Sequence, residues 1–281
     1  AVKPGTLAGS TVATRFRDPI LGGALFGALT LAFSETYWSQ SASVEVYPLH
    51  ALFLIALIGL FLAAFPRSDA RLRPDAPGIA RSAAPHLFAY VLGLSFTNHM
   101  STLYLAPAFL LLYFIRRGAS REGWLFLLRL VPAFCLGLSV YLFLPVRASS
   151  GPMMNWGNPA GFDAILRHLS GKQYSVWIFS SSETAVRQLA YFFRSIGAEF
   201  FYVPLVVALW GLRHLYHRSR DLFILIVLLF AGCLAFAVNY DINDIDSYFL
   251  LAYIATALAA SAGMYSILTA LMGRGRAALR A

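Results

Sequence analysis

Charge is what this chain has least of. Only 12% of its 281 residues are Asp, Glu, Lys or Arg, against about a quarter in a typical soluble domain, while 59% are hydrophobic. That balance excludes an ordinary soluble protein and indicates a polytopic membrane protein, in which lipid covers apolar surface and helix packing supplies specificity. Lysine is scarcer still, limited to Lys3 and Lys172, and there is no Walker loop, dinucleotide-binding glycine fingerprint, HExxH or GxSxG motif. Nucleotide-phosphate chemistry on the cytoplasmic side therefore has little to work with, and none of the common soluble-enzyme signatures is present. The two cysteines, Cys135 and Cys233, both fall inside apolar runs, where small buried residues are expected rather than a disulfide or a metal site. The chain opens on Ala1, and the stretch to Asp18 has no apolar h-region, so it is not a signal peptide. The expectation is a single integral-membrane domain over residues 1–281 that begins inside a longer reading frame.

What is abundant is apolar helix. Eight runs read as membrane segments: Ile20–Phe33, His50–Phe65, Ala84–Thr97, Thr102–Ile115, Trp124–Leu144, Ala198–Leu212, Leu222–Val238 and Tyr248–Met272. Several fall short of the roughly 20 residues that a span needs. The connectors sort by charge. Lys3, Arg15 and Arg17; Arg67, Arg71, Arg73 and Arg81; Arg116, Arg117 and Arg121; Arg213, Arg218 and Arg220; and Arg274, Arg276 and Arg280 alternate onto one side, sixteen of the 22 basic residues. The other side holds Arg147, Arg167, Lys172, Arg187 and Arg194 against Glu35, Glu45, Asp163, Glu183, Glu199, Asp241, Asp244 and Asp246. By the positive-inside rule the basic side, with both termini, is cytoplasmic and the acid-rich side external. The net charge of +9 is thus topological, and nucleic acid is not an expected partner.

The longest connector, residues 145–197, is expected outside, partly as amphipathic helices lying in the interface. Asn158-Pro159 reads as an N-cap and first helical residue, with Phe162, Ile165, Leu166 and Leu169 as one apolar stripe. A second stripe, Val186, Leu189, Ala190 and Phe193, follows a capping Ser182 and ends at Gly197.

Four external clusters carry groups capable of chemistry. The first runs from Ser34-Glu35-Thr36-Tyr37-Trp38-Ser39-Gln40 to Glu45-Val46-Tyr47-Pro48-Leu49-His50. Trp38 and Tyr47 suit an aromatic belt at the headgroup level; the carboxylates, with Gln40, suit a functional cavity, because ionisable groups beside spans normally face one. The second is Asn98-His99, which reads either as a hydrogen-bonded helix end or as part of that cavity. The third joins Arg147, whose planar guanidinium can grip a lipid phosphate bidentately or snorkel to ordinary headgroups, with Asn155-Trp156-Gly157, a turn exposing an indole, and with His168 and Lys172-Gln173-Tyr174. The fourth, Asp241, Asp244 and Asp246, supplies hard oxygen ligands suited to a divalent cation, or is a solvated turn. It lacks the glycine and distal Glu of an EF-hand, and no metal site is assigned.

Taken in order, Tyr37-Trp38-Ser39-Gln40, Glu45-Val46-Tyr47, Thr97-Asn98-His99, Leu144-Pro145-Val146-Arg147-Ala148, Asn155-Trp156-Gly157-Asn158-Pro159 and Lys172-Gln173-Tyr174 resemble one family, the bacterial membrane proteins catalogued as domain of unknown function 2723, relatives of an animal transmembrane O-mannosyltransferase. The resemblance covers most of Arg15 to Tyr174 and more loosely Asp241 to Leu250. It implies an all-α, GT-C-like glycosyltransferase of about eight transmembrane helices in a bacterial inner membrane. Such an enzyme moves a monosaccharide, mannose for example, from a polyprenyl-phosphate carrier in the membrane lipid to a hydroxyl of a protein or glycan acceptor on the periplasmic face. It further implies that Trp38, Tyr47 and Trp156 bound the sugar, that Gln40, Asn98 and Asn155 hydrogen-bond it, that Arg147 with His99 or Lys172 stabilises the leaving phosphate, and that Glu45 supports them. Family members carry the catalytic acid in a Trp-Asp-Ser-Gly-Glu-type external loop upstream of the part matched here. This chain has no such motif, so the acid is expected upstream of Ala1, and Glu35 and Glu45 are not its obvious substitutes. The competing readings are a transporter or lipid flippase, and an inactive membrane fragment.

Overall fold

The computed structural model describes residues 18–66 and 78–278. Lys3, Arg15, Arg17, Arg67, Arg71, Arg73 and Arg280, with Asp69 and Asp75, lie outside the described residues. Within them the regular structure is helical: α1 (Pro19–Ala32), α2 (Glu35–Ala42), α3 (Tyr47–Ala64), α4 (Gly78–Asn98), α5 (Ala106–Arg117), α6 (Arg121–Leu138), α7 (Phe143–Ser149), α8 (Phe162–Leu169), α9 (Ser182–Glu199), α10 (Val203–Arg218), α11 (Arg220–Ala237) and α12 (Leu250–Ala278). Prolines punctuate it. Pro19, Pro48, Pro107 and Pro204 each sit in the first positions of α1, α3, α5 and α10, where the missing N–H is one that a helix start leaves unpaired anyway. The Asp18 carboxylate adds a cap to α1, accepting from the Ile20 N–H at 2.9 Å.

Seven of the eight apolar runs are helical through most of their length, whereas Ala198–Leu212 straddles the break between α9 and α10, and the runs are not eight equal spans. Among the described residues, four helical stretches are long and apolar enough to cross a membrane: Tyr47–Ala64, Arg121–Ser149, Arg220–Ala237 and Ile245–Gly273. The number rises to six if two bent pairs, α1 with α2 (66°) and α9 with α10 (106°), each make one span. The helices of the third and fourth runs are not among them, since α4 carries Arg81, His86 and Asn98 and α5 is only 12 residues long.

Three boundaries differ from the sequence expectation. Asn158 adopts a left-handed φ of 39°, as Asn does more readily than most residues, and α8 begins three residues beyond Pro159, after Gly161. Ser181 rather than Ser182 caps α9, its hydroxyl accepting from the Thr184 N–H at 3.1 Å. Gly197 does not end that helix. It is where the Tyr202 ring closes against the backbone, with a Cβ there falling 2.5 Å from the ring. The chain turns two residues after Glu199, at Phe201 and Tyr202, both at positive φ.

Helix α12 runs through the centre against α1, α10 and α11; α6 lies on α4, α4 on α3, and α5 on α11. Small residues let the backbones meet. A Cβ on Gly93 of α4 would lie 2.2 Å from the Phe134 carbonyl of α6, and one on Gly137 of α6 equally close to the Tyr90 carbonyl of α4, the close approach on which helix association in lipid relies. Phe61, Phe65, Phe88, Phe109 and Tyr113 form a mutual aromatic cluster, with Phe61 and Phe109 stacked at 4.3 Å.

One end of this core is tied by Arg116. Its guanidinium donates to the Phe65 carbonyl at the end of α3 and to Asp221 in the first turn of α11, both at 2.6 Å. The two side chains are 6% and 11% exposed. Removing one partner of so buried a pair leaves the other charge uncompensated, which typically costs about 3 kcal/mol or more. Arg116→Ala is therefore expected to lower the thermal midpoint of the detergent-solubilised protein sharply, with Arg116→Lys recovering only part, because one ammonium does not reproduce the two-pronged contact.

Candidate functional site

At the opposite end of the bundle the helix ends enclose a cavity of about 570 Å³, within the range of small-molecule sites. Val46 and Tyr47 come from the start of α3, Thr97 and Asn98 from the end of α4, and His99, Met100, Ser101, Leu103 and Tyr104 from the turn that follows. Tyr141 projects from the 3-10 turn Ser139–Leu142, Phe236 and Tyr240 from the end of α11, and Tyr248 from the turn leading to α12. The long connector supplies the remaining wall with His168, Ser170, Gly171, Tyr174 and Ile178. It is pinned there by backbone hydrogen bonds, Phe179 N–H to the Asn239 carbonyl and Asp241 N–H to the Trp177 carbonyl.

The wall at His99 is built by the backbone. Helix α4 stops at Asn98, His99 is extended (φ −155°), and a 3-10 turn, Met100–Leu105, follows. The Ser101 N–H donates to His99 Nδ1 at 3.2 Å, and since a backbone N–H only donates, Nδ1 is an acceptor. The Ser101 hydroxyl lies 2.7 Å from the same nitrogen and 2.6 Å from His50 Nε2. One proton arrangement satisfies all three contacts. His50 Nε2–H donates to Ser101 Oγ, Ser101 Oγ–H donates to His99 Nδ1, and the proton of neutral His99 resides on Nε2. Burial lowers the His99 pKa to about 4, so the neutral tautomer holds at physiological pH. Around it, the Tyr47 ring lies 5.4 Å and the Tyr248 ring 5.6 Å from the His99 ring, and Tyr240 packs edge-on to Tyr248 at 4.8 Å. The Tyr141 hydroxyl donates to the Phe96 carbonyl at 2.6 Å, and Asn98 Nδ2 donates to the Val46 carbonyl at 3.3 Å. Burial, then Tyr248, raises the Tyr240 pKa, which keeps that phenol neutral. Among the described residues, no carboxylate lines this cavity.

Of the residues in the four sequence clusters, the structure brings Tyr47, Asn98, His99, His168 and Tyr174 into the lining and leaves Trp38, Gln40, Glu45, Arg147, Asn155, Trp156 and Lys172 outside it. Trp38 is exposed and stacks on Phe33 at 5.7 Å, Gln40 is half-buried, and Glu45 is exposed. Arg147 is exposed on α7 and donates to Ser150 Oγ at 2.9 Å. Asn155 donates to Asn158 Oδ1 at 2.9 Å, Trp156 is 77% exposed, and Lys172 is exposed. The three acids diverge: Asp241 pairs with Arg187, the Asp246 carboxylate accepts from Tyr191, and Asp244 precedes the turn Ile245–Phe249. Among the described residues, no group of three His, Cys, Asp or Glu side chains is arranged to hold a metal ion.

The tyrosines of the acidic segment carry no role in the sequence reading, yet Tyr240 and Tyr248 line the cavity, while Asp241 and Asp246 are held by Arg187 and Tyr191. The charge pattern counts Glu199 among the acids of the external connectors. In the structure Glu199 is 4% exposed, and its carboxylate accepts from the Thr36 N–H at 3.0 Å and the Thr36 hydroxyl at 2.9 Å, capping α2 from 163 residues away. The signal was available, since Glu199 ends a helix whose apolar stripe continues straight into the Phe200 run.

Residues 7–122 match the family described as the Protein O-mannosyl-transferase TMEM260 N-terminal domain. Over 163 residues the chain is 28% identical to mouse Protein O-mannosyl-transferase TMEM260, a stretch that covers 57% of this chain and 22% of that protein. The chain is similar to an O-mannosyl-transferase over that stretch. It spans about a fifth of the length of the curated relative it matches. No solved structure matches the chain. The matched residues 7–122 contain His50, Asn98, His99 and Ser101, while Tyr141, His168, Tyr174, Tyr240 and Tyr248 lie beyond them. The apolar helices together with this similarity make the chain an integral membrane protein.

The lowered His99 pKa fixes a pH dependence. A histidine whose folded pKa lies below its usual 6.5 stabilises the fold above that value, and the contribution is lost as pH falls towards about 4. The thermal midpoint of the wild-type protein is expected to fall between pH 6.5 and 5 more steeply than that of His99→Gln, measured in one detergent.

Proposed function

We propose that this chain is part of a GT-C-like membrane glycosyltransferase. It transfers a monosaccharide from a polyprenyl-phosphate carrier to a hydroxyl of a protein or glycan acceptor on the external face, and the aromatic cavity receives the sugar phosphate. The observation that carries the reading is the His50–Ser101–His99 chain, of which Ser101 and His99 line that cavity, with support from the similarity to an O-mannosyl-transferase. In this reaction the acceptor oxygen attacks the anomeric carbon, the bond from that carbon to the carrier phosphate breaks, and the phosphate leaves with the electron pair. A neutral histidine with its proton on Nε2 is a donor set in advance towards that developing charge, which in a water-poor site is worth far more than in water. Tyr47, Tyr240 and Tyr248 offer ring faces and hydroxyls to a sugar. The acceptor's proton goes to a carboxylate that the cavity lining does not supply.

His99 takes the role that the sequence reading gave first to Arg147. We place Arg147, with Lys172, Trp156 and the half-buried Asn155, on the outer surface, where the carrier's headgroup arrives. Trp38, Gln40 and Glu45 belong to the neighbouring rim; of the acids, Asp241 and Asp246 serve as structural ties to Arg187 and Tyr191, and with Asp244 they are proposed to form no cation site. The orientation proposed is that of the charge pattern, eight membrane segments with the cavity external and both termini cytoplasmic, in a bacterial inner membrane. A transporter is less favoured because all the lining residues belong to one end of the bundle.

The test is sugar transfer from a polyprenyl-phosphate donor by the whole membrane enzyme. His99→Ala is expected to lower kcat by about 100-fold, the usual effect of losing one charge-stabilising donor, while Arg147→Ala chiefly raises KM for the carrier. Ser101→Ala is expected to fall between them, because it frees the His99 tautomer without removing the ring. Wild-type kcat in His99→Ala that is properly folded would overturn the assignment.

A further inference from the structure

A second polar pocket lies at the other end of the bundle, away from the cavity. Helices α10 and α12 meet backbone to backbone at Gly211 and Gly263, where a Cβ would lie 1.8 Å from the Ala259 carbonyl and 2.0 Å from the Val207 carbonyl. Past that crossing a pocket of about 280 Å³ opens between them, lined by Trp210, Arg213, His214, His217, Arg218 and Ser266. Positions 213 and 217, and likewise 214 and 218, are four apart, so these side chains share one helical face.

The pocket is more than a basic helix end. The Arg213 guanidinium lies over the Trp210 ring, 5.3 Å from its centroid, which holds its plane while leaving its N–H edges open. The Trp210 Nε1–H donates to Ser266 Oγ at 3.3 Å, so the Ser266 hydroxyl keeps its own proton for a ligand. Among the described residues, no carboxylate lines the pocket. Two guanidinium groups, two imidazoles and a hydroxyl therefore converge on a space that no acid of the lining neutralises, beside an indole that prefers the headgroup level.

We propose that this pocket binds the phosphate of an anionic phospholipid headgroup on the membrane face opposite the aromatic cavity, with Arg213 and Arg218 as the main phosphate donors and Ser266 as a third. A phosphodiester carries one negative charge and acceptor oxygens suited to the guanidinium fork. Basic pockets between membrane helices on the Arg-rich side are suited to such headgroups.

The probe is short-chain phosphatidylglycerol, compared with phosphatidylcholine and inorganic phosphate, added to the protein in a neutral detergent while the thermal midpoint is followed. Phosphatidylglycerol is expected to raise the midpoint saturably and phosphatidylcholine not to. The half-saturating concentration should rise about fivefold with each of Arg213→Gln and Arg218→Gln, and Arg167→Gln in α8 should leave it unchanged. Should the arginine variants fail to fold, Ser266→Ala and His217→Glu, the latter placing a carboxylate in the pocket, are each expected to weaken the shift. An equal response to inorganic phosphate would overturn the lipid assignment. A phosphatidylglycerol shift unchanged in all the pocket variants that fold would overturn the site.

Discussion

A helix that breaks inside an apolar bundle frees backbone N–H and C=O groups which lipid cannot satisfy, and protein must do so instead. Much of what is distinctive here follows from that constraint. Where α1 gives way to α2, Glu199 reaches across to the Thr36 N–H. Where α4 stops at Asn98, Ser101 and Thr102 bond back to His99, and Tyr141 takes up the Phe96 carbonyl. Where α3 ends at Phe65, Arg116 takes its carbonyl and carries Asp221 with it. Breaks of this kind draw polar side chains into places that composition alone would leave apolar.

The same constraint concentrates chemistry at one end. The break after Asn98 positions His99 and hands Ser101 to His50 on α3, so that a device satisfying a helix end also sets a tautomer. Tyrosines from three other elements close round it, and the long connector, held by a short backbone bridge between Ile178 and Tyr240, completes the enclosure. The opposite end follows other rules. Its basic turns are placed by topology, and the glycine crossing of α10 and α12 leaves a pocket where Trp210 and Arg213 are stacked. The molecule thus has a neutral, aromatic cavity at one face and a cationic pocket at the other.

Much of this was legible in residues read singly or in short runs. Prolines at 19, 48, 107 and 204 mark helix starts, and Thr97-Asn98-His99 marks a break. Tyr47, Asn98 and His99 were visible because polar groups beside apolar runs are costly. Trp156 and Arg147 were equally visible by that test yet lie exposed, since an interfacial side chain meets the same criterion whether it faces a cavity or water. The roles of Glu199, Tyr240 and Tyr248 were not legible because their neighbours in sequence are not their neighbours in space. Glu199 answers to Thr36, and Tyr248 to Tyr47 and His99.

By itself the sequence determined that the chain is helical and membrane-embedded, where most of its apolar helices lie, and that basic and acidic connectors segregate. These are properties of local composition and periodicity, which need no knowledge of partners. Only the tertiary structure decided that α1–α2 and α9–α10 bend, that a buried carboxylate caps α2, and that His50, Ser101 and His99 share one line of hydrogen bonds. Each of those depends on which helix ends meet, a matter of long-range packing through glycine crossings and aromatic contacts that no short window of residues encodes.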